Sequence, residues 1–221
     1  EKGRYLVEQL LAGKNIALIT DAGTPAVSDP GEDLVKMAYE VGIEVTSLPG
    51  PCALITGLTL SGLSTGRFSF EAFLPSDKKE RQRIINELVC DTRTIILYEA
   101  PHRLQKTLKE LYDVLGNRNI TIIKELTKIH ESILRTSLEK AISTYESTEP
   151  KGEYVLILEG RSYKELEEER QNRWEDKTLS EHLKIYLDQG IDKKEAMKLV
   201  AKDRGISKRE VYKELLEEDE I

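Results

Sequence analysis

Hydrophobic positions along the chain come in short runs parted by polar, glycine-bearing turns, the rhythm of an α/β protein. After a helix over residues 5–11, Ile16-Ala17-Leu18-Ile19 is an apolar run of strand length, so residues 15–20 are expected as a buried parallel strand. A turn dense in Asp, Gly and Pro follows, Asp21-Ala22-Gly23-Thr24-Pro25, and leads to Ser28-Asp29-Pro30-Gly31. Asp29 is expected to cap a helix over residues 30–41, with Pro30 in its first position and Glu32 completing a capping box. Residues 44–48 read as a second short strand, and Pro49-Gly50-Pro51 opens a helix of small and apolar residues over 52–60, closed by Gly62. This repeated strand–helix order predicts a parallel sheet. Residues 68–74 are extended and Pro75-Ser76-Asp77 breaks the chain, so a first α/β domain is expected over 1–75 and a second over 76–160.

In the second half, Asp77 and Glu80 frame a capping box for a charged helix to about Cys90. Strands are expected over 93–99, 120–124, 131–135 and 152–159, with helices from Pro101 to Leu115 and from Ser137 to about Tyr145, and with some antiparallel pairing. Beyond Gly160 the composition turns polar. Residues 161–177 read as a charged linker or exposed helix, and residues 178–221 as three helices: 179–189, 193–204 and 208–217. Asp192 with Glu195 and Ser207 with Glu210 give capping boxes, and the break at Gly205-Ile206-Ser207 resembles a helix-turn-helix.

Charge changes this picture in one place. The whole chain of 221 residues carries a net charge of −7, against a globally basic nucleic-acid binder, yet Lys193 to Lys213 holds eight Lys/Arg and three Asp/Glu. That stretch is either a solvated face or a phosphate-reading surface. Two cysteines, Cys52 and Cys90, have neither disulfide-framework nor metal-ligand spacing, so no metal is expected. The apolar runs are too short to span a membrane, and Glu1-Lys2-Gly3-Arg4 leads directly into a helix without a signal-like pattern. A reducing cytoplasm is the expected compartment.

Six segments occur in one order: Asp21–Pro25 with Ser28–Gly31, Pro49–Pro51, Phe73-Leu74-Pro75, Tyr98-Glu99-Ala100-Pro101-His102-Arg103-Leu104, Glu125-Leu126-Thr127-Lys128, and Gly152-Glu153 before the last strand. Together they resemble the ribosomal RNA small-subunit methyltransferase I group of the tetrapyrrole methylase superfamily, over residues 1–160, and the helical tail resembles that group's C-terminal extension. The resemblance implies two αβα domains with S-adenosylmethionine between them and a small helical extension. It further implies a cytoplasmic, usually dimeric enzyme that methylates the ribose 2′-oxygen of a cytidine in the decoding region of 16S rRNA, within the small ribosomal subunit. Ala72 stands where the group usually has glycine and Lys124 where it usually has arginine. The group also opens with a strand-loop segment and a Glu-Asp-Thr-Arg motif that this sequence lacks, so the first domain is expected to be incomplete at its N-terminus.

Methyl transfer from a sulfonium is an in-line displacement governed by positioning. Backbone groups and carboxylates for the cofactor are expected from Asp21, Ala22, Gly23, Thr24, Pro25, Ser28 and Asp29, and from Pro51 and Ala53 beside a helix whose small residues admit a ligand. Gly152 and Val155 are placed to face the adenine, with a core role equally open for Val155. A ribose hydroxyl needs a base or a nearby cation; the candidates are Glu99, Glu125, Lys124 and His102, the last also read as a helix-opening residue. Arg103, Lys128, Lys202, Lys208 and Arg209 are the candidate RNA contacts. Two alternatives remain: a tetrapyrrole C-methyltransferase of the uroporphyrinogen or precorrin type, and a non-catalytic module binding cofactor or RNA. The Asp21–Pro25 turn in place of Gly-Asp-Pro, and the basic tail, favour RNA over tetrapyrrole. No Gly-x-Gly-x-x-Gly fingerprint follows any strand, which argues against a dinucleotide enzyme.

Overall fold

The structure, a computed structural model, describes residues 2–218. Five strands form one sheet in the order β1-β2-β5-β3-β4: β1 (Phe68–Phe73), β2 (Thr94–Glu99), β3 (Asn119–Lys124), β4 (Ser132–Ser137) and β5 (Tyr154–Leu158). Only β1 and β2 run parallel; β5 lies antiparallel between β2 and β3, and β4 antiparallel to β3. The antiparallel pairing expected in the second half is present, whereas the parallel sheet expected of the first half does not form, its only strand in the sheet among the described residues being β1. β4 follows β3 as a hairpin, and β5 inserts between its neighbours against their direction. β1 precedes the break at Pro75 and lies in the same sheet as the strands after it.

Residues 95–97 of β2 and all of β5 are buried, which explains their near-continuous apolar sequence. Ile95, Leu97, Ile120, Ile122, Leu156 and Leu158 face α4 (Lys78–Glu87), α5 (Pro101–Leu115) and α6 (Leu138–Glu146). Ile96, Ile123, Val155 and Ile157 face α3 (Ala53–Ser61). A Cβ on Gly57 would lie 3.1 Å from Val155 and 3.2 Å from Ile157, so the small side of α3 brings the helix down onto β5. Gly57 thus serves helix–sheet packing, while Ala53 at the start of the helix stays exposed. α3 ends on Gly62, and its last carbonyls accept hydrogen bonds from Thr121 and Arg135. α4 is shorter than expected, ending at Glu87 before a single 3-10 turn, Leu88–Cys90.

β1 carries an irregularity with a packing purpose. Phe70 pairs with Ile96 and Phe73 with Tyr98, three steps on one strand against two on the other. In a regular strand Phe70 and Phe73 would point to opposite faces; the extra residue brings both rings onto Tyr98, at 4.9 and 5.7 Å in edge-on contact. Ala72 takes the left-handed conformation this requires, at φ 50°. A Cβ there is strained by roughly 1–2 kcal/mol. Ala72→Gly is expected to raise the unfolding free energy by about 1 kcal/mol, read as an increased denaturant midpoint at unchanged slope; a fall would contradict the strain.

Toward the N-terminus, α1 (Lys2–Leu11) packs on α2 (Glu32–Glu40) through Val7 and Ala38. The strands expected over 15–20 and 44–48 do not form, because neither segment has a ladder partner among the described residues. Their apolar side chains stay out of the core: Ile19 is 84% and Leu48 83% exposed. The expected cap of α2 is also displaced. Gly31, at φ 154°, is the N-cap and has no side-chain cap, while the Asp29 carboxylate turns back to Thr20 instead of forming a box with Glu32. A Cβ at Gly31 would sit 2.5 Å from the Leu18 side chain, so the turn closes only around glycine.

Residues 90–92 and the chain from 161 onward form a separate compact unit. It holds α7 (Tyr163–Asn172), α8 (Leu179–Asp188), α9 (Lys193–Arg204) and α10 (Lys208–Glu218), so of the two readings of residues 161–177, linker or exposed helix, the helix forms ahead of the three-helix tail. Ser162/Glu165, Thr178/Glu181 and Ser207/Glu210 close reciprocal capping boxes, whereas Asp192 caps α9 from its own side chain alone. Leu179, Leu183, Ala196, Met197, Val200, Ala201 and Val211 make the core.

Beside that core, His182 is buried and stacks on Trp174 with ring centroids 3.5 Å apart. Arg204 donates to its Nδ1 at 3.3 Å, and Asp203 lies 3.5 Å from Nε2 while accepting from the Tyr186 hydroxyl. Burial, then the Arg204 charge, lower the His182 pKa; Asp203 opposes them and Lys177 adds a smaller push downward. The unfolded chain therefore binds a proton that the folded unit refuses, so stability present above the ordinary histidine value of 6.5 is lost as pH falls through the lower folded value. Trp174, the sole tryptophan, reports this by fluorescence. The unfolding midpoint of this unit is expected to drop below pH 6.5, and His182→Phe to flatten that dependence; an equal acid response in both proteins would exclude His182 as its source.

Candidate cofactor and acceptor site

Segments far apart in sequence meet at one end of the sheet. The turn 20–31 is closed by Thr20, whose Oγ1 accepts the Ala22 N–H at 3.1 Å and donates to Asp29 Oδ2 at 3.2 Å. Thr24 donates to the Pro51 carbonyl from its N–H at 2.9 Å and from its hydroxyl at 3.1 Å. Gly23 packs so closely on that carbonyl that a Cβ would be 3.1 Å from it. The Asp21–Pro25 turn and the Pro51–Ala53 bend thus form one backbone-lined cradle, with Asp21, Ser28, Asp29, Pro51 and Ala53 exposed to solvent. Its floor is the N-terminus of α3, where Cys52 supplies no side-chain cap. A helix start without a side-chain cap and two exposed carboxylates suit a ligand with acceptor and cationic groups.

The sheet reaches this cradle through Tyr98, a residue the sequence did not single out as a site candidate. Its phenol sits where burial, then Cys52 and Asp29, raise its pKa, while a backbone hydrogen bond at Leu54 opposes them. Tyr98 therefore stays protonated and couples β2 to the α3 N-terminus. Alternation along β2 carried the signal: Tyr98 and Glu99 must point to opposite faces.

Glu99 points away from the cradle. It is 1% exposed and lies in a buried network: Oε1 accepts the Ala100 N–H at 2.9 Å, and Oε2 accepts from the Thr107 hydroxyl. Arg81, 4% exposed, donates to Thr107 at 2.6 Å and to Glu110 at 2.5 Å, and its guanidinium is 3.9 Å from Glu99. Arg103 lies 3.5 Å from Glu99 and donates to the Leu74 carbonyl at 2.5 Å. Glu99 and Arg103 thus anchor the chain leaving β1 rather than facing open solvent.

Glu125 lies just past β3, at φ 51°. Its Oε1 accepts the Glu153 N–H at 2.8 Å and the Lys128 ammonium at 3.1 Å; Lys128 also donates to Glu153 at 2.7 Å. The Glu153 amide first, then Lys128, lower the Glu125 pKa, and Glu153 and Glu125 in turn raise that of Lys128. A Cβ on Gly152, at φ 82°, would be 2.5 Å from Glu125 Cγ, so Gly152 makes room for the Glu125 side chain. Lys124 is half-buried beside this cluster and shares a row with Tyr154 and Glu99 across the sheet. Val155 is 6% exposed in the core against Leu54 and Ile123, which favours its core role.

His102 is exposed at the start of α5 and lines a cleft of about 480 Å³ with Gln105 and residues 146–150. Lys202, Lys208 and Arg209 are exposed in the C-terminal unit. Among the described residues no His/Cys/Asp/Glu group fits a metal ion, and no helix is long and apolar enough to cross a membrane.

The profile of the tetrapyrrole (corrin/porphyrin) methylases matches residues 1–142. A ribosomal RNA small subunit methyltransferase I from Halalkalibacterium halodurans is 44% identical over 210 residues, 95% of this chain and 72% of that protein. One of the same name from Bacillus subtilis is 42% identical over 210 residues, with the same coverage of 95% and 72%. Among solved structures, that of the methyltransferase CobJ superposes with a TM-score of 0.55 at 17% identity, covering 72% of this chain and 70% of that one, a likeness of fold.

Proposed function

This chain belongs to the tetrapyrrole methylase family, and on that premise we propose that it transfers a methyl group from S-adenosylmethionine to the ribosomal RNA of the small subunit, at the ribose 2′-oxygen of a cytidine. The observation that carries the reading is the convergence of the motif segments on one sheet end, together with the names of relatives more than two-fifths identical over nearly the whole chain. The cofactor, when bound, supplies an electrophilic methyl on a sulfonium. Asp21 and Asp29, the backbone of residues 22–25, Ser28, and the α3 N-terminus at Pro51–Ala53 hold it and balance its charge, with Tyr98 fixing that floor to β2.

On the acceptor side, the roles of the carboxylates follow from their partners. Glu99 is buried in ion pairs and positions Arg103 and the end of β1. Glu125, held as a carboxylate with a lowered pKa, is a weak base and orients the turn that carries Lys128. Lys124 shares the row of Glu99 and Tyr154, on the sheet face turned from the cradle, and His102 opens α5 on that same side, so neither is assigned to activate the ribose hydroxyl.

The test is incubation of the protein with labelled S-adenosylmethionine and unmodified small ribosomal subunits, with a tetrapyrrole precursor as parallel acceptor. Label in the RNA, at one cytidine made resistant to alkaline cleavage, is expected. Label only on the tetrapyrrole would overturn the acceptor, and cofactor binding with label in neither would favour a non-catalytic module. Lys124→Met is therefore expected to leave the transfer rate and cofactor affinity near wild type; a loss of about 10²-fold or more would return Lys124 to the reaction.

A further inference from the structure

The starts of α9 and α10 border a groove of about 580 Å³ lined by Lys193, Lys194, Met197, Lys208, Arg209 and Tyr212. All four cations sit in the first turn of a helix, next to the positive end of its dipole, where a cation is unfavourable. The nearby carboxylates do not compensate them. Asp192 accepts the Lys194 and Glu195 N–H groups, Glu195 pairs with Lys198 at 2.6 Å, and Glu210 accepts the Ser207 N–H at 2.6 Å. Among the described residues none of the four cations has an ion-pair partner. Between them lies an exposed ring, Tyr212 at 57%, over the buried Met197. Capping, core packing and helix ends in this unit otherwise agree with the fold, so a local conflict concentrated in one groove points to a ligand.

We propose that this groove binds a single-stranded RNA segment, with phosphates between Lys193, Lys194, Lys208 and Arg209 and an unpaired base on the Tyr212 ring. Four unpaired cations match a run of phosphates, and an exposed aromatic among them matches a splayed base, which a duplex does not offer. The choice of RNA as the polyanion rests on the acceptor proposed above; the geometry of the groove does not.

The full chain is titrated with a fluorescent single-stranded RNA from the decoding region and with a duplex of the same sequence, at several salt concentrations. Replacing the four cations by Gln is expected to weaken single-strand binding and to flatten its salt dependence, the log–log slope falling by about 0.7 for each phosphate no longer neutralised. Tyr212→Ala is expected to weaken it roughly fivefold or more, with Tyr212→Phe restoring it and duplex binding unmoved. Thermal stability should hold or rise when the cations leave the helix starts; if the fourfold variant does not fold, Lys208→Gln with Arg209→Gln gives the same reading at half the change. Unchanged affinity and slope in these variants would overturn the groove, and equal losses for duplex and single strand in Tyr212→Ala would overturn the stacked base. Cofactor binding, measured separately by calorimetry, should be the same in every variant. A wild-type chain that binds RNA through the groove yet methylates no subunit would refute the proposed reaction and leave the groove standing.

Discussion

Glu99→Ala is expected to lower the unfolding free energy of the sheet-bearing unit by about 3–5 kcal/mol, the loss typical of removing one partner from a buried ion pair. Arg81 would keep its charge at 4% exposure with Glu110 as its remaining carboxylate, and the Ala100 N–H and the Thr107 hydroxyl would lose their acceptor. Denaturant unfolding followed by circular dichroism measures the change, and a loss below about 1 kcal/mol would mean the network is not stabilising. Replacing both partners, Arg81→Met with Glu99→Leu, is expected to recover part of the loss, because the buried guanidinium leaves with its carboxylate while the Ala100 N–H and the Thr107 hydroxyl stay without an acceptor. The same variants separate a positioning role from a base. Methyl transfer by Glu99→Gln, assayed where the protein is fully folded, is expected to keep the wild-type pH profile while its rate falls; disappearance of a basic limb would reinstate Glu99 as the base.

Gly152→Ala is expected to be the most damaging small substitution at the site. Position 152 has φ 82°, which costs a non-glycine residue about 1–3 kcal/mol, and the new Cβ would overlap the Glu125 side chain at 2.5 Å. Glu125 must then leave the Glu153 amide, and Lys128 loses one of its two carboxylates. The expected results are an unfolding free energy lower by about 1–3 kcal/mol, a Glu125 pKa that returns upward toward its ordinary value, and a fall in methyl transfer. Carbon-detected NMR titration of the glutamate carboxyls reads the middle quantity directly. An unmoved Glu125 titration would show that the turn accommodates the methyl group elsewhere.

Much of this architecture was legible in the sequence where burial from both sides forces composition. Ile95-Ile96-Leu97 and Val155 to Leu158 announce central strands, and Asp77, Ser137 and Ser207 announce helix starts whose caps the structure contains. The strands expected over 15–20 and 44–48 failed for a reason no local pattern carries: a strand exists only with a neighbour, and these apolar runs have none among the described residues. The displaced cap of α2 failed similarly, since Asp29 had a second suitor in Thr20, nine positions back. At the site, Glu99 at the end of β2 is a candidate by position, but the face it takes matters more than the position. Glu99 turns toward α5, where Arg81 from α4 meets it, and Tyr98 turns toward the cradle. The bulge at Ala72 was equally hidden, because its purpose lies in a ring on the neighbouring strand.

The cradle around residues 20–31 is held by a few hydrogen bonds, Thr20 to Ala22 and Asp29 and Thr24 to Pro51, and among the described residues by no ladder. Its amides should exchange with solvent deuterium far sooner than those of β2 and β5, at a free energy of opening well below that of global unfolding. Ligand affinity at such a site is its intrinsic value reduced by the fraction of time the cradle is closed. Substitutions that stiffen these loops without touching the ligand should therefore tighten cofactor binding, and a saturating cofactor should slow exchange there first. Occupancy of the methyl donor becomes, in this fold, a property of loop order as much as of contact chemistry.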